Sequence, residues 1–175
     1  MRATTLRTPM STARSHLQLV PATAEAARPH RWFCGRCGSP SPHGHVPPPF
    51  SRGCETCGLG ILVEAPADVA PAPGDAFLIV DRTLAVQALS DAAAQLLGLD
   101  ADAAVGRPVS ELLCAADAEA PGAEPLGAAI VQAAGGEDEP LHVTVRPSDV
   151  FGVRMRLRVG ACGPPRAALL VVEQP

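Results

Sequence analysis

The last third of the chain alternates between apolar and polar residues in a way that is typical of half-buried strands. The segments LHVTVRP (141–147) and VRMRLRV (153–159) each place apolar residues at every second position. This pattern predicts antiparallel strands with one face on a core and the other face in water. The segment AALLVVE (167–173) is apolar on both faces, so we expect it to be a central strand.

Upstream of these strands the pattern indicates a hairpin followed by helices. AFLIV (76–80) and LAVQAL (84–89) flank a turn-forming Asp-Arg-Thr, and Ser90 is placed to cap a helix that stops at Gly98. A weakly amphipathic helix is expected over residues 126–134. The order strand, strand, three helices and three strands predicts an α+β fold with a five-stranded antiparallel sheet and helices on one face.

The composition of the 175 residues divides the chain by charge. Apolar residues make up 47% and charged residues 18%, which is enough apolar material for a core. No apolar run reaches the roughly 18–20 residues of a membrane span, which excludes an integral membrane protein. Residues 1–58 hold seven Arg and two acidic residues, for a net charge of +5, whereas residues 59–175 hold seven Arg and sixteen acidic residues, for −9. The difference indicates two segments with different roles.

Four segments are predicted along the chain. Residues 1–30 form a polar tail that we expect to be disordered, and residues 31–64 are a cluster of Cys, Gly and Pro. Residues 65–75 (APADVAPAPGD) are expected to form a stiff Pro/Ala linker that keeps the flanking cores separate. Residues 76–175 have the size and pattern of a single α+β domain.

The N-terminal tail leaves the start and the destination of the chain open. Met10 is an alternative start to Met1, and the Arg- and Ala-rich composition is shared with mitochondrial presequences, although the same bias runs through the whole chain. No apolar stretch resembles the core of a secretory signal. We therefore expect a cytoplasmic protein, in which six reduced cysteines need an explanation other than disulfides.

Four of the cysteines form the strongest chemical signal in the sequence. WFCGRCG (32–38) and GCETCG (53–58) give the spacing C-x2-C-x16-C-x2-C. This spacing predicts a closed zinc site with Cys34, Cys37, Cys54 and Cys57 as ligands. Because four thiolates leave no open coordination position, the zinc is expected to be structural, and it would stabilise a segment too small for its own core.

Other assignments of the four cysteines remain as alternatives. They are a redox dithiol, a disulfide pair and a rubredoxin-like iron site, and either His43 or His45 is available to replace one thiol. A thioredoxin-like dithiol would need a βαβ pattern, which is absent, and rubredoxins are richer in aromatic residues. We favour zinc with four sulfur ligands.

The cysteine cluster resembles a zinc ribbon over residues 31–64, with two knuckles on hairpins and ILVE (61–64) as a trailing strand. Zinc ribbons bind nucleic acid in some families and proteins in others. Residues 31–58 contain three Arg and no Lys, which is few for contacts with a phosphate backbone. The composition favours protein contact or a purely structural role over nucleic-acid binding.

The C-terminal segment resembles the PAS sensor family over about residues 74–175. The resemblance is carried by FLIVDRTLAVQALSDAAAQLLGLDADAAVGRPVSELL (77–113), with a strand ending in Asp81, a helix ending in Leu-Leu-Gly, and Val-Gly-Arg-Pro. The sequence departs from the family at Ser90, where Asn is common. The resemblance implies a five-stranded sheet and a sensing or interaction role, while the ligand differs between members.

The chain's own residues argue against the usual PAS cofactors. Cys114 lacks the neighbours of the flavin-adduct motif, and no His lies in residues 123–136 where a haem ligand would be expected, so neither flavin nor haem is expected. Cys114 is predicted to be a small buried hydrophobic residue, and Cys162 to be exposed at a turn. A small apolar ligand or simple core packing would use four strand residues of the predicted inner face. These residues are Val143, Val145, Met155 and Leu157.

Together these patterns predict a non-enzymatic, bacterial-type regulatory protein that senses a signal or binds a partner. A protein partner or a second copy of the chain would carry the signal onward, and the stripe of Arg154, Arg156 and Arg158 would suit an acidic partner. The first alternative is a transcription-associated factor whose ribbon contacts nucleic acid. The second is a thiol-redox sensor, which would require reactive cysteines.

Overall fold

The structure is a computed structural model that describes residues 28–42, 46–48, 50–116, 125–137 and 139–173. The predicted disordered tail lies outside these residues, apart from its last three positions. Within the described part of the chain, no helix is both long enough and apolar enough to cross a membrane.

The described residues form two antiparallel sheets and four short helical segments. The strands are β1 His30–Cys34, β2 Leu62–Pro66, β3 Phe77–Val80, β4 Val86–Leu89, β5 Leu113–Ala115, β6 Leu141–Pro147, β7 Met155–Cys162 and β8 Ala167–Val172. The helices are α1 Asp91–Leu97, α2 Ala101–Ala104 and α3 Leu126–Gly135, with a 3₁₀ turn at Val109–Glu111. Strands β1 and β2 pair with each other, and the larger sheet has the order β4-β3-β8-β7-β6-β5.

The large sheet has six strands, so the prediction of five is wrong. The additional strand β5 pairs antiparallel with β6, with Leu113 opposite Pro147 and Ala115 opposite Val145. Three residues are too few for a period-two pattern to be visible, and the pairing partner lies about thirty residues further along the chain. The mixed α/β class and the interior position of β8 are as predicted.

The helices pack on one face of the large sheet, which we call the inner face. The strand residues Val145, Leu157 and Leu170 are fully buried there against Ile130 of α3. The predicted helix signals act as expected. The Ser90 side chain accepts a hydrogen bond from the backbone N–H of Ala93, and the chain leaves α1 through a left-handed glycine at position 98.

The opposite, outer face of the large sheet is covered along β3 and β8, which differs from the predicted water-exposed face. Phe77 and Leu169 point outward and are fully buried under the β1–β2 hairpin. The rings of Phe33 and Phe77 meet edge to face with their centroids 5.7 Å apart. Glu64 of β2 also exchanges backbone hydrogen bonds with Gly163, at 2.6 and 2.9 Å.

The segment predicted as an extended linker is partly folded onto the same face. Its first two residues complete β2, and Val69 is fully buried. Gly160 of β7 lies directly beneath Val69, because a Cβ atom at position 160 would come within 2.6 Å of a Val69 methyl group. The segment therefore contributes to packing between residues 31–64, which we call the ribbon, and residues 76–173, which we call the sheet domain.

Candidate metal centre

The first knuckle follows directly from the end of β1. Cys34 is the last residue of that strand, and residues 35–37 form a tight turn. Gly38 closes the turn with a φ of +72° and donates its N–H to the carbonyl oxygen of Cys34 at 3.0 Å. The turn brings the side chain of Cys37 back towards that of Cys34.

The second knuckle repeats this geometry before β2. Cys54 is buried, Cys57 is half-buried, and Gly58 closes the turn with a φ of +68°. The N–H of Gly58 donates to the carbonyl oxygen of Cys54 at 2.9 Å. The N–H of Gly35 in the first knuckle donates to the carbonyl oxygen of Ile61 just after the second, at 2.9 Å, and the N–H of Cys54 donates to the carbonyl oxygen of Gly60 within the second knuckle, at 2.8 Å.

The two knuckles bring four sulfur atoms to one point. The Sγ atoms of Cys34, Cys37, Cys54 and Cys57 all lie within 4.8 Å of one another. The Cys34–Cys57 and Cys37–Cys54 sulfur pairs are 3.7 and 3.8 Å apart. A tetrahedral zinc ion with Zn–S bonds of about 2.3 Å places its sulfurs about 3.8 Å apart. The donor set and its spacing therefore fit a metal ion such as zinc.

Backbone N–H groups are directed at two of the sulfurs. The N–H groups of Arg36 and Cys37 donate to Cys34 Sγ at 3.4 and 3.5 Å, and the N–H of Gly60 donates to Cys57 Sγ at 3.4 Å. The backbone N–H groups of Leu59 and Gly60 lower the pKa of the Cys57 thiol to about 6. Such donors stabilise thiolates, which are the form that binds metal.

Burial acts in the opposite direction at Cys34. Removal from water raises the pKa of the Cys34 thiol to about 12, despite its backbone donors. Four thiolates at these distances repel one another strongly, and a divalent cation at their centre is what would hold all four deprotonated. The electrostatics of the cluster therefore suit a bound cation.

A glycine keeps space for the sulfur cluster. A Cβ atom built at Gly60 would overlap the sulfur of Cys34 and would lie 3.0 Å from the Cβ of Arg36. By contrast, a Cβ atom at Gly53, next to Cys54, would meet nothing within 4 Å. Gly60 is therefore a site residue that the sequence prediction missed, and its only signal was the sequence GLG directly after the second CxxC.

The remaining candidate residues lie apart from the cluster or outside the described residues. His43 and His45 fall in the part of the chain that the structure does not describe. Cys114 is half-buried in β5, not fully buried as predicted. Cys162 is buried at the end of β7 beneath the ribbon, so its predicted exposure is wrong. Burial raises the pKa of the Cys162 thiol to about 12, which keeps it protonated and unreactive at neutral pH.

The four strand residues expected either to line a ligand cavity or to fill the core form part of the inner core. Val145 and Leu157 are fully buried, and Val143 and Met155 are exposed by 4% and 7%. All four belong to the cluster that includes Ile130 of α3. Their observed role is packing between the sheet and α3.

The outer face of β6 and β7 lies beside the ribbon and carries basic side chains. We call His142, Arg146, Arg156 and Arg158 the basic strip. His142 Nδ1 and Arg156 Nε lie 3.2 and 3.3 Å from the two carboxylate oxygens of Glu173, and the guanidinium of Arg146 stacks 4.9 Å from the Phe151 ring centroid. The Nε of Arg158 is buried without a hydrogen-bond partner among the described residues. The Glu173 carboxylate therefore faces two basic groups, His142 and Arg156.

Comparison with known proteins gives matches among solved structures. No protein-family model matches the chain, and no curated protein matches it. Among solved structures, the chain is similar to the crystal structure of the PAS domain of nitrogen regulation protein NR(II) from Vibrio parahaemolyticus. The identity is 18% and the TM-score 0.43, and the match covers 58% of this chain and 90% of that one. At this level the similarity carries no functional argument, so the residues of this chain alone bear on its function.

Proposed function

We propose that the chain is a non-enzymatic signal-sensing or regulatory protein, in which a structural zinc ribbon is docked on a PAS-like interaction domain. The order of strands and helices expected from the PAS resemblance agrees with the observed fold, apart from the added strand β5. The protein acts by binding a protein partner or a second copy of itself in the cytoplasm.

The zinc in this proposal has a structural role. Cys34, Cys37, Cys54 and Cys57 would hold it, and bound zinc would supply a fixed cross-link between the two knuckles. With four sulfur ligands no coordination position is left for a substrate or a water molecule. The ribbon is thereby kept in the conformation that covers Phe77 and its neighbours on the outer face.

The observation that carries the binding role is the basic strip. Arg156 and His142 share the single carboxylate of Glu173, and their side chains have exposed fractions of 66% and 44%. The basic strip suits an acidic partner surface. Another copy of the chain could supply such a surface, because residues 59–175 carry a net charge of −9.

The exposed side chains of the ribbon support protein contact over nucleic-acid contact. Val46, Phe50, Leu59 and Ile61 are large apolar residues that are at least 62% exposed, whereas Arg52 lies over the ring of Trp32, 5.5 Å from its centroid. Apolar exposure of this kind is typical of protein interfaces.

Salt-dependent association of the zinc-loaded chain tests this proposal. We expect sedimentation velocity or partner capture to show association that weakens as salt rises from 50 to about 500 mM, because charges across an exposed interface are screened. The variant R156S/R158S should weaken it about tenfold, whereas R82S/R107S, which removes the same charge elsewhere, should not. A chain that stays monomeric and captures no partner would contradict the proposal. Tight, salt-dependent binding to random DNA that R156S/R158S does not weaken would also contradict it.

A further inference from the structure

A groove of about 580 Å³ lies where the tips of both knuckles face the sheet domain. One wall comes from the ribbon through Leu59 and Ile61, the floor from Ile79 and Ala88 of the sheet, and the far wall from Val105 after α2. We propose that this groove binds a neutral, largely apolar small molecule. Its volume is that of an ordinary small-ligand site.

The walls of the groove expose large apolar side chains to water. Leu59, Ile61 and Val105 have exposed fractions of 72%, 62% and 50%, although they surround one concave surface. Large apolar side chains gathered around a concavity mark a binding surface, because a ligand there removes their area from water. Below them, Ile79 is only 6% exposed and forms a closed apolar floor.

The basic group nearest the ribbon wall is already paired within the chain. Arg36 lies 3.4 Å from a carboxylate oxygen of Asp91 and 3.0 Å from one of Asp102. Both contacts join the ribbon to the helices of the sheet domain. The guanidinium therefore has two counter-charges before any ligand enters the groove.

The other charged groups of the lining also have partners. Asp81 accepts hydrogen bonds from Thr83 and from the side-chain amide of Gln87, at 2.7 and 2.6 Å. Arg166 directs its guanidinium to the carbonyl oxygen of Gly135, at 3.5 Å. Arg36 and Asp102 pair with each other, and Asp81 and Arg166 are opposite in sign, so the charged side chains of the described lining carry no net charge. An ionic ligand would therefore lose its hydration without gaining a net counter-charge.

Polar contact is available at one end of the groove. Gln87 lies in the lining beside Asp81, and its amide oxygen is an acceptor for a hydroxyl or N–H group of a ligand. The expected ligand class is therefore a flat or branched hydrocarbon-like molecule with at most a neutral hydrogen-bonding group.

The groove is formed from both parts of the chain, and it depends on their mutual position. Gly35 contacts the floor, since a Cβ atom there would lie 3.3 Å from Ile79 Cδ1. The inference rests on the proposed function for its biological meaning, because an occupant would be the signal that the protein senses. Binding itself is independent of the basic strip, which lies on β6 and β7.

The test uses the neutral fluorescent probe N-phenyl-1-naphthylamine and the full zinc-loaded chain. We expect saturable binding that the variant L59S/I61S weakens about tenfold, because two apolar wall residues are lost. The variant L96S/V131S removes apolar side chains that are 50% and 48% exposed on α1 and α3, outside the groove lining, and it should change the dissociation constant less than about twofold. Zinc content and melting temperature verify that both variants are folded.

The outcomes separate this inference from the proposed function. If the probe does not bind saturably, or if both variants change its dissociation constant equally, the proposal that the groove binds a ligand is wrong. Preferential binding of the anionic analogue 1-anilinonaphthalene-8-sulfonate that L59S/I61S abolishes would overturn the neutral ligand class. The variant R156S/R158S should bind the neutral probe as tightly as the unmodified chain does. This variant therefore tests association through the basic strip, and L59S/I61S tests ligand binding in the groove, so either proposal can fail without the other.

Discussion

At the scale of single residues, the sulfur cluster depends on a position without a side chain. Gly60 donates its N–H to Cys57 Sγ, and its Cα lies so close to Cys34 that a methyl group would overlap the sulfur. Residues that orient ligands from outside the coordination shell affect metal affinity by about 10–100-fold. Gly60 therefore supports the candidate centre by leaving space for one sulfur and donating a hydrogen bond to another.

We predict that Gly60→Ala lowers zinc affinity by about tenfold or more, because the new methyl group displaces Cys34 or opens the knuckle. Competition with a chromophoric chelator measures the affinity. Gly53→Ala is the matched control, since its methyl group enters open space beside Cys54. Equal affinities of the two variants would show that the close approach of Gly60 to the sulfur has no consequence for metal binding.

Asp81 organises the turn between β3 and β4. Its carboxylate accepts hydrogen bonds from the hydroxyl and N–H of Thr83, at 2.7 and 2.8 Å, and from the N–H of Ala85 at 3.1 Å. Hydrogen bonding, led by the Thr83 side chain, lowers the pKa of Asp81 in the folded chain. The ionised carboxylate therefore stabilises the fold above its unfolded pKa of about 3.9, and this stabilisation is lost as pH falls through the lower folded pKa.

We predict that Asp81→Ala lowers the free energy of unfolding at pH 7 by about 1 kcal/mol. The difference from the unmodified chain should be constant above about pH 5 and should shrink as the pH falls below about 4. Denaturant unfolding at a series of pH values measures it, and acid release of metal affects both chains alike. A difference that does not change with pH would exclude the ionised carboxylate as its source.

At the scale of elements, the sequence predicted the long strands but not the short one. Strands β6, β7 and β8 were predictable because alternation or continuous apolar character over six or more residues reports which faces are buried. Strand β5 was not, because three residues carry no period and their pairing depends on β6.

The cover on the outer face was also not predicted, although the sequence contains a signal for it. Strands β3 and β8 are apolar at consecutive positions, which indicates burial on both faces, and only one face can be filled by the helices. The second cover is the β1–β2 hairpin, whose contacts are distant in sequence. The same omission explains why Cys162 was expected at an exposed turn.

The contact between Val69 and Gly160 provides a test of this cover. We predict that Gly160→Ala and Val69→Ala each destabilise the chain by about 1–3 kcal/mol, the first by overpacking and the second by leaving a cavity. The loss of unfolding free energy in the double variant should be at least about 1 kcal/mol smaller than the sum of the two single losses. The reason is that the smaller side chain at position 69 makes room for the new methyl group at position 160. Denaturant unfolding gives the four values.

Gly135→Ala is the control for that cycle. Its Cβ atom would meet nothing within 4 Å at the end of α3, so it should be neutral or slightly stabilising, alone and additively with Val69→Ala. Strict additivity of Val69→Ala and Gly160→Ala would mean that residues 67–70 do not lie on β7 in solution.

At the scale of the whole molecule, composition indicated two parts, and the structure shows how they meet. The ribbon contacts the sheet domain through Phe33 on Phe77, through backbone pairing of Glu64 with Gly163, and through Arg36 near Asp91 and Asp102. The Pro- and Ala-rich composition of residues 65–75 predicted an extended linker, and it could not reveal that Val69 is buried. The prediction that residues 65–75 keep the flanking cores separate is wrong, because Phe33 and Phe77 belong to one buried cluster.

The sequence was most informative about the cysteine cluster, because metal-binding spacing is local. Two CxxC motifs fix two short turns, and the sixteen residues between them are within the spacing of known zinc sites, so the four sulfurs could be grouped before any tertiary contact was known. The groove and the basic strip depend on long-range packing, and only the alternating arginines at positions 154, 156 and 158 were visible as a stripe in the sequence.

Native mass spectrometry of the purified chain and its Cys37→Ser variant tests the central claim, that four cysteines hold one structural zinc. The account predicts one zinc per unmodified chain and a clear loss of zinc in the variant, because three thiolates and a hydroxyl bind the ion more weakly. Iron in the unmodified chain, a mass two hydrogens lower for each disulfide in place of metal, or full retention of zinc by the variant would contradict it.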